Sequence, residues 1–291
     1  MAPKPLRNIP EASLFTRLDA LAASADPKLR RLFLLAIRGL LSESDKRALT
    51  VALTYGDPDM AETAVPWIKL EINLAAMFQS PPIRTLAAGA GDAAAWMAGT
   101  ERRTDAVLER LDQSAQLRAA QITDETRRGI RAFVSEAHTA GRPIADVQRD
   151  VESALYAEGG FGLDERSARA VGRRLARMVE REGLTAKERA NALRTLNRQA
   201  LAARARRIVA TELNAITNQA MQSQWEAEGS VTHKEWVARM NNKTCERCAA
   251  FDGVVVPIND PFVSRAPFLE VAFTPEIHPN GFCVMRPARK A

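Results

Sequence analysis

Apolar residues recur at helical spacing through most of the first 228 positions of the chain. In the segment 164–183, Val171, Leu175 and Met178 form one stripe while the arginines fall elsewhere, which is the pattern of an amphipathic helix. Between 199 and 228 no glycine or proline interrupts the pattern. We therefore expect one long helix over about 199–228, with a succession of shorter helices before it.

Local signals mark several helix boundaries in this region. Asp57 followed by Pro58 is a favoured N-cap with proline at the first helical position. Thr185 and Glu188 have the spacing of a capping box, so a helix is expected to begin there. The segment 80–94, SPPIRTLAAGAGDAA, is rich in proline and glycine, and we interpret it as a loop or a domain joint.

The pattern changes after Gly229. Alternation in VTHKEWVARM (231–240) predicts a strand, and the β-branched run GVVVPI (253–258) predicts another. The expected fold is mainly α with a small C-terminal β and loop segment, in the α+β class. We divide it into a helical N-terminal region (1–100), a helical domain (101–228) and a β-rich segment (229–291).

Composition supports a mainly helical fold. The chain is 46% hydrophobic and 26% charged, with only 5% aromatic residues, which favours a helical globular protein. No apolar run reaches the length of a membrane span, and MAPKPLRNIPEASLF lacks the apolar core of a secretory signal. We therefore expect no membrane contact and a reducing cytoplasm, where a CxxC pair binds metal or acts in catalysis more often than it forms a disulfide.

Positive charge is concentrated in one part of the chain. Residues 161–210 contain 13 Lys and Arg against 5 Asp and Glu, whereas the whole chain has a net charge of +6. Two interpretations stay open: a solvated arginine-rich helix face, or a contact with an acidic partner such as nucleic acid. For the second, the candidate contacts are Arg173, Arg174, Arg177, Arg206 and Arg207, and binding to DNA would be weak, sequence-independent and sensitive to salt.

All three cysteines lie in the last 47 residues. With one histidine they give the spacing Cys245-x2-Cys248-x29-His278-x4-Cys283, which predicts a closed Cys3His zinc site. A small β segment has little core of its own, and a structural Zn²⁺ would stabilise it. A redox pair and a group of buried, unliganded cysteines are the alternatives. His138 and His233 receive no role.

The C-terminal motifs follow one another in a recognisable order. They are RARRIVATELNAITNQAM (204–221), a strand with Trp236, NKTCERCAAFDGVVVPI (242–258) and HPNGFCVMRP (278–287). In this order they resemble the C-terminal domain of the phage head morphogenesis family, the Mu F-like minor head proteins of tailed phages. The resemblance extends over roughly 125–291 and is strongest from 204 onward.

The resemblance assigns family motifs to individual positions. Besides the cysteines and His278, the positions that match are Thr211, Glu212, Asp252, Gly253 and Pro279. Gly281 stands where the closing motif of the family has another cysteine, and Phe282 replaces a basic residue. Zinc therefore follows from the spacing of the ligands and is not guaranteed by the resemblance.

Thr211 and Glu212 admit two interpretations. They are either a polar pair in mid-helix that bonds a neighbouring element, such as the β segment, or the place of a catalytic Glu212. The chain contains no HExxH, no GxSxG and no phosphate loop. A zinc ion with four protein ligands also leaves no open position for substrate. We therefore expect no enzymatic activity.

The resemblance implies a minor capsid protein of the virion. Such a protein is expected inside the head near the portal, and in the host cytoplasm during assembly, where it acts in head assembly and DNA packaging or delivery. The implied partners are the portal protein, with residues 1–100 as a docking region, and the major capsid or scaffolding protein. The alternatives are a sequence-independent nucleic-acid-binding zinc protein and an enzyme or toxin-like effector. For an effector domain, the eight residues after Cys283 would leave no room.

Overall fold

The structure is a computed structural model that describes residues 10–139, 162–240, 244–275 and 281–288. It is mainly helical, with small sheets confined to the C-terminal part, as the sequence predicted. The helices are α1 (Glu11–Arg38), α2 (Glu43–Tyr55), α3 (Pro58–Thr63), α4 (Trp67–Phe78), α5 (Pro81–Ala98), α6 (Thr104–Thr139), α7 (Glu165–Glu182), α8 (Ala186–Glu228) and α9 (Glu246–Phe251). The strands are β1 (His233–Val237), β2 (Val255–Pro257), β3 (Phe262–Val263), β4 (Val271–Ala272) and β5 (Val284–Ala288). None of the helices described is both long and apolar enough to cross a membrane.

The chain forms two compact units, each assembled from separated stretches of sequence. The β-bearing unit comprises Met1–Arg30, Met77–Ala115 and Arg207–Ala291. The helical unit comprises Arg31–Ala76 and Gln116–Arg206. The domain boundaries predicted near residues 100 and 228 stay a prediction.

The sheet of the β-bearing unit has the strand order β2-β1-β5, and both pairings are antiparallel. Its central strand β1 carries Trp236, which is fully buried. The indole stacks on Phe251 of α9 with ring centroids 4.3 Å apart, and it meets the edge of Phe262 of β3 at 5.3 Å. This aromatic cluster holds the sheet, α9 and the β3–β4 pair together, since aromatic side chains bury large apolar areas.

The predicted loop over 80–94 is wrong, because these residues form α5. Ser80 occupies the N-cap position, and Pro81 and Pro82 fill the first turn, where a missing N–H removes no helical hydrogen bond. The prolines that suggested a loop therefore mark the beginning of a helix.

The glycines in α5 have a packing role. A Cβ at Gly89 would lie 2.8 Å from the Leu21 Cδ2 atom of α1, and one at Gly91 would lie 3.0 Å from the Val107 Cγ2 atom of α6. Glycine at these positions lets neighbouring helices approach α5 closely. This packing offsets the intrinsic cost of glycine inside a helix, which is about 1 kcal/mol.

The two predicted helix caps are present. Asp57 accepts hydrogen bonds from the backbone N–H groups of Asp59 and Met60 at 2.8 and 3.1 Å. The backbone N–H and hydroxyl of Thr185 donate to Glu188 Oε2 at 2.9 and 2.7 Å, and these bonds lower the pKa of that carboxyl. The capping box opens α8, which continues without a break to Glu228, so the predicted helix over about 199–228 is extended at its N-terminal end.

The helical unit is built around a fully buried arginine, Arg204 of α8. Its guanidinium donates to Thr126 Oγ1 at 2.9 Å and to the Ile122 carbonyl at 3.3 Å, both on α6. The carboxylates of Glu125 and Asp164 lie at 3.5 and 3.7 Å. A buried cation needs such partners, so this network ties α8 to α6 and to the beginning of α7.

Candidate functional site

The three cysteines come together in the β-bearing unit. Cys245 is the N-cap of α9, and its sulfur accepts a hydrogen bond from the backbone N–H of Cys248 at 3.4 Å. Cys248 and Cys283 are buried, and none of the three cysteines, all of which are described, forms a disulfide. Hydrogen bonding with Cys283 and burial raise the pKa of the Cys248 thiol far above its ordinary value, and Cys245 adds to the effect. Cys248 therefore interacts with both of the other cysteines.

The fourth predicted ligand, His278, lies outside the described residues, and so does Pro279 of the closing motif. Within the described ranges, no three His, Cys, Asp or Glu side chains are arranged so as to hold a metal ion. Neutral thiols can lie close to Cys248 without charge repulsion. Three thiolates at the same place would repel one another, so they would require a cation between them. The zinc site stays a prediction that the chemistry of these three donors supports.

The backbone around the CxxC pair differs from that of a redox motif in a βαβ unit. Helix α9 lies between β1 and β2 in the chain, and these two strands are antiparallel neighbours. A βαβ unit requires parallel strands. The surroundings of Cys245 and Cys248 therefore give no support to the redox interpretation.

The Asp-Gly motif forms the return from α9 to the sheet. Asp252 Oδ1 accepts from the backbone N–H of Ala238 at 2.8 Å, and the Gly253 N–H donates to the Trp236 carbonyl at 2.9 Å. Gly253 has φ = +69°, a conformation that favours glycine. The motif thus fixes the position of the CxxC helix beside β1.

Arg247, between the two cysteines of the CxxC pair, forms an ion pair with Glu270. Its Nη2 lies 2.7 Å from Glu270 Oε1, and this pairing raises the pKa of the guanidinium. A negative charge on either cysteine of the pair would act in the same direction. Arg247 is therefore placed to interact electrostatically with the cysteine cluster and also connects α9 to the residue preceding β4.

Thr211 and Glu212 lie in the part of α8 that belongs to the β-bearing unit, and both are half-buried. The Thr211 hydroxyl donates to the Arg207 carbonyl of its own helix at 2.9 Å. Their assignment as a polar pair that bonds the β segment stays a prediction.

Two asparagines that sequence reasoning missed bind the C-terminal segment to α8. Asn214 Nδ2 donates to the Pro275 carbonyl at 3.0 Å. Asn218 Nδ2 donates to the Cys283 carbonyl, and Asn218 Oδ1 accepts from the Met285 N–H, each at 3.1 Å. The available signal was the recurrence of asparagine four positions apart within a long helix, where asparagine is disfavoured unless its amide is used.

The arginines proposed for nucleic-acid contact occupy two helices. Arg173, Arg174 and Arg177 are exposed on α7, whose opposite face buries Val171 and Leu175. On α8, Arg206 is exposed and Arg207 is half-buried. The side chains on α7 therefore form a solvent-facing basic surface.

Comparison with known families gives one match. Residues 169–286 match the family model described as Phage Mu protein F like protein. These residues form a phage Mu F-like segment. The match confirms the predicted phage head morphogenesis family over a shorter range than the predicted 125–291, and it covers the CxxC helix, Asp252-Gly253 and Cys283. No curated protein and no solved structure shows a significant match to the chain.

The match is a similarity over residues 169–286 to a family of phage head morphogenesis, and that family is structural rather than enzymatic. A place in the virion and partners among the capsid proteins agree with this family.

Proposed function

We propose that this protein is a minor component of the head of a tailed phage, held at the portal, and that it acts in head assembly and in DNA packaging or delivery. The observation that carries the proposal is the Mu F-like match over 169–286. Quantitative mass spectrometry of purified proheads and virions tests it. The protein should be present at low copy relative to the major capsid protein, and its detection only as free protein in infected cells would refute the proposal.

Docking to the portal protein needs a surface, and residues 1–100 supply exposed apolar side chains. On α4, Ile68 is 78% exposed and Ile72, one turn later, is 60% exposed. Further exposed apolar residues in the same unit are Leu35, Val51, Tyr55 and Met60. An exposed apolar patch marks a protein–protein contact, and we propose the portal protein as the partner at α4.

The variant I68D/I72D is expected to lower incorporation of the protein into heads at least tenfold, since two charges in the core of an interface remove apolar contacts and must be desolvated. The matched control is L117D, because Leu117 is 69% exposed on α6 but lies outside residues 1–100. Incorporation is measured by mass spectrometry of heads from a complemented deletion phage. Equal incorporation of the two variants would exclude α4 as the docking face.

We further propose a structural zinc ion as cofactor. Cys245, Cys248 and Cys283 would hold it, with His278 as the fourth ligand predicted from the sequence. Cysteine sulfur is a preferred zinc ligand, and the interaction of Cys248 with each of the other two cysteines supports this assignment. The ion would connect α9 to the beginning of β5, and these residues would bind it and exclude water from its coordination sphere.

Sequence-independent DNA binding is the second candidate function, favoured by the exposed arginines of α7. Replacing Arg173, Arg174 and Arg177 by alanine is expected to reduce the slope of log K against log salt by about 2.7, because each lost phosphate contact contributes roughly 0.9. The control replaces the same three residues by lysine, which keeps the charge and should keep most of the slope. The slopes are measured by fluorescence anisotropy with duplex DNA of two unrelated sequences.

Affinity that depends on the DNA sequence and persists at high salt would contradict phosphate-only contact and would favour a nucleic-acid-binding protein over a head component.

A further inference from the structure

Asn218 is fully buried in the β-bearing unit, and its amide makes three hydrogen bonds. The nitrogen donates to the Asn214 carbonyl of α8 at 3.0 Å and to the Cys283 carbonyl at 3.1 Å. The oxygen accepts from the Met285 N–H at 3.1 Å. Both polar ends of the side chain are therefore used, and two of the bonds reach the chain at the beginning of β5.

These two bonds complete the edge of the sheet. Strand β5 is at the end of the order β2-β1-β5, and its pairing with β1 leaves its outer backbone groups to other partners. The Cys283 carbonyl and the Met285 N–H flank Val284 and point to the same side of an extended chain. The carboxamide of Asn218 presents an N–H donor and a C=O acceptor side by side, as the N–H and C=O of one residue do in an antiparallel strand, so it takes the place of a neighbouring strand there.

We infer that Asn218 is a positioning residue for Cys283, which sets the Cys283 thiol against Cys248. This inference rests on the proposed role of the three cysteines as metal ligands. Helix α8 provides the rigid base, because it continues for 43 residues without interruption. Cys245 and Cys248 are placed independently, by the cap of α9 and by the Asp252-Gly253 turn. Asn218 therefore acts on one sulfur of the cluster and not on the other two.

Other residues do not reproduce this contact. Alanine would leave the Cys283 carbonyl and the Met285 N–H buried without this partner. Aspartate would keep an acceptor for Met285 but would face the Cys283 carbonyl with a second acceptor and a buried charge. Asn214 offers a matched control on the same helix, because its amide bonds the Pro275 carbonyl and not β5.

The test compares N218A, N218D and N214A with the parent protein in two measurements. The first is the N-ethylmaleimide alkylation rate of each cysteine in chelator-treated protein, resolved by peptide mass spectrometry. The second is zinc affinity, from competition with a chromophoric chelator.

In both Asn218 variants, alkylation at Cys283 should rise at least about tenfold relative to Cys248, because loss of the two bonds favours local opening at β5. Zinc affinity should fall by about 10–100-fold, as for other residues that orient metal ligands. N214A should stay within about twofold of the parent in the Cys283-to-Cys248 ratio.

An equal rise at all three cysteines, or no rise at Cys283, would overturn the inference. Loss of the helical circular dichroism signal in both Asn218 variants would overturn it too, since Asn218 would then serve general stability. A parent protein that binds no zinc would refute the metal proposal alone, because the alkylation ratio still reports on the position of Cys283.

Discussion

Replacing Cys248 with serine is expected to abolish zinc binding and to loosen residues 230–291. Cys248 interacts with both of the other thiols, so its loss would separate the CxxC helix from the beginning of β5. Structural zinc contributes about 10 kcal/mol or more in small zinc-folded peptides. The cost should be smaller here, since the segment also packs through the Trp236 cluster and through Asn214 and Asn218.

The measurements for C248S are elemental analysis of protein purified without chelator and limited proteolysis. The parent should contain one zinc ion per chain, and C248S should contain almost none. Cleavage should appear first within 230–291, while the helical unit, which contains none of the cysteines, should resist it.

Chelator treatment is the matched control. It should make the parent protein as protease-sensitive as C248S and leave the protease sensitivity of C248S unchanged. Zinc content near zero in the parent, with equal protease sensitivity of the two proteins, would mean that the cysteines are a packing cluster and that Gly281 marks a lost family site.

Local signals explain what the sequence predicts well. The capping box at Thr185 and Glu188, the N-cap at Asp57 and the alternation around Trp236 all act within a few residues, and the structure contains each of them. The order of the cysteine motifs can also be read along the sequence, without knowledge of how the chain packs. It was sufficient to predict the phage head morphogenesis family that the match over 169–286 confirms.

The errors arise where distant residues decide the local structure. The 80–94 segment contains prolines and glycines that suggest a loop, yet the prolines begin a helix, and Gly89 and Gly91 let other helices approach it closely. The true beginning of α8 was marked by its capping box, but periodicity alone does not tell one helix of 43 residues from a short helix followed by a long one.

The most constrained side chains were missed because their partners are remote in sequence. Asn218 bonds a residue 65 positions away, and Arg204 bonds Thr126 across 78 positions. Each stands in an ordinary helical pattern, and Arg204 lies in the arginine-rich stretch that suggested a solvated face. Only the packing of the helices separates a buried arginine from its exposed neighbours, and a single sequence does not contain that information.

Replacing Arg204 with methionine is expected to destabilise the helical unit by about 3–5 kcal/mol. Methionine nearly fills the space, so the loss comes from the partners of the charge and not from a cavity. Asp164, whose carboxylate is largely buried, would lose its cation, and the Ile122 carbonyl would lose a donor. Breaking a buried pair on one side typically has an effect of this size.

The control for R204M is R206M, since Arg206 is exposed on the same helix, and its replacement should change stability by no more than about 0.5 kcal/mol. Urea unfolding, followed by circular dichroism at 222 nm, measures both variants. If R204M has no larger effect than R206M, the network around Arg204 does not contribute to stability.

A second substitution identifies the cause of the loss. Asp164 is the N-cap of α7 and accepts from the Ser167 N–H at 2.8 Å, a bond that asparagine can also accept. D164N therefore removes the charge and keeps the cap. If the uncompensated carboxylate causes most of the loss in R204M, the double variant R204M/D164N should recover about 1–3 kcal/mol, which is the range of coupling energies between residues in contact. If the loss of stability in the double variant equals the sum of the losses in the two single variants, the hydrogen bonds to Ile122 and Thr126 would account for the effect of R204M. Arg204 would then connect α8 to α6 and would not act as a counter-charge for α7.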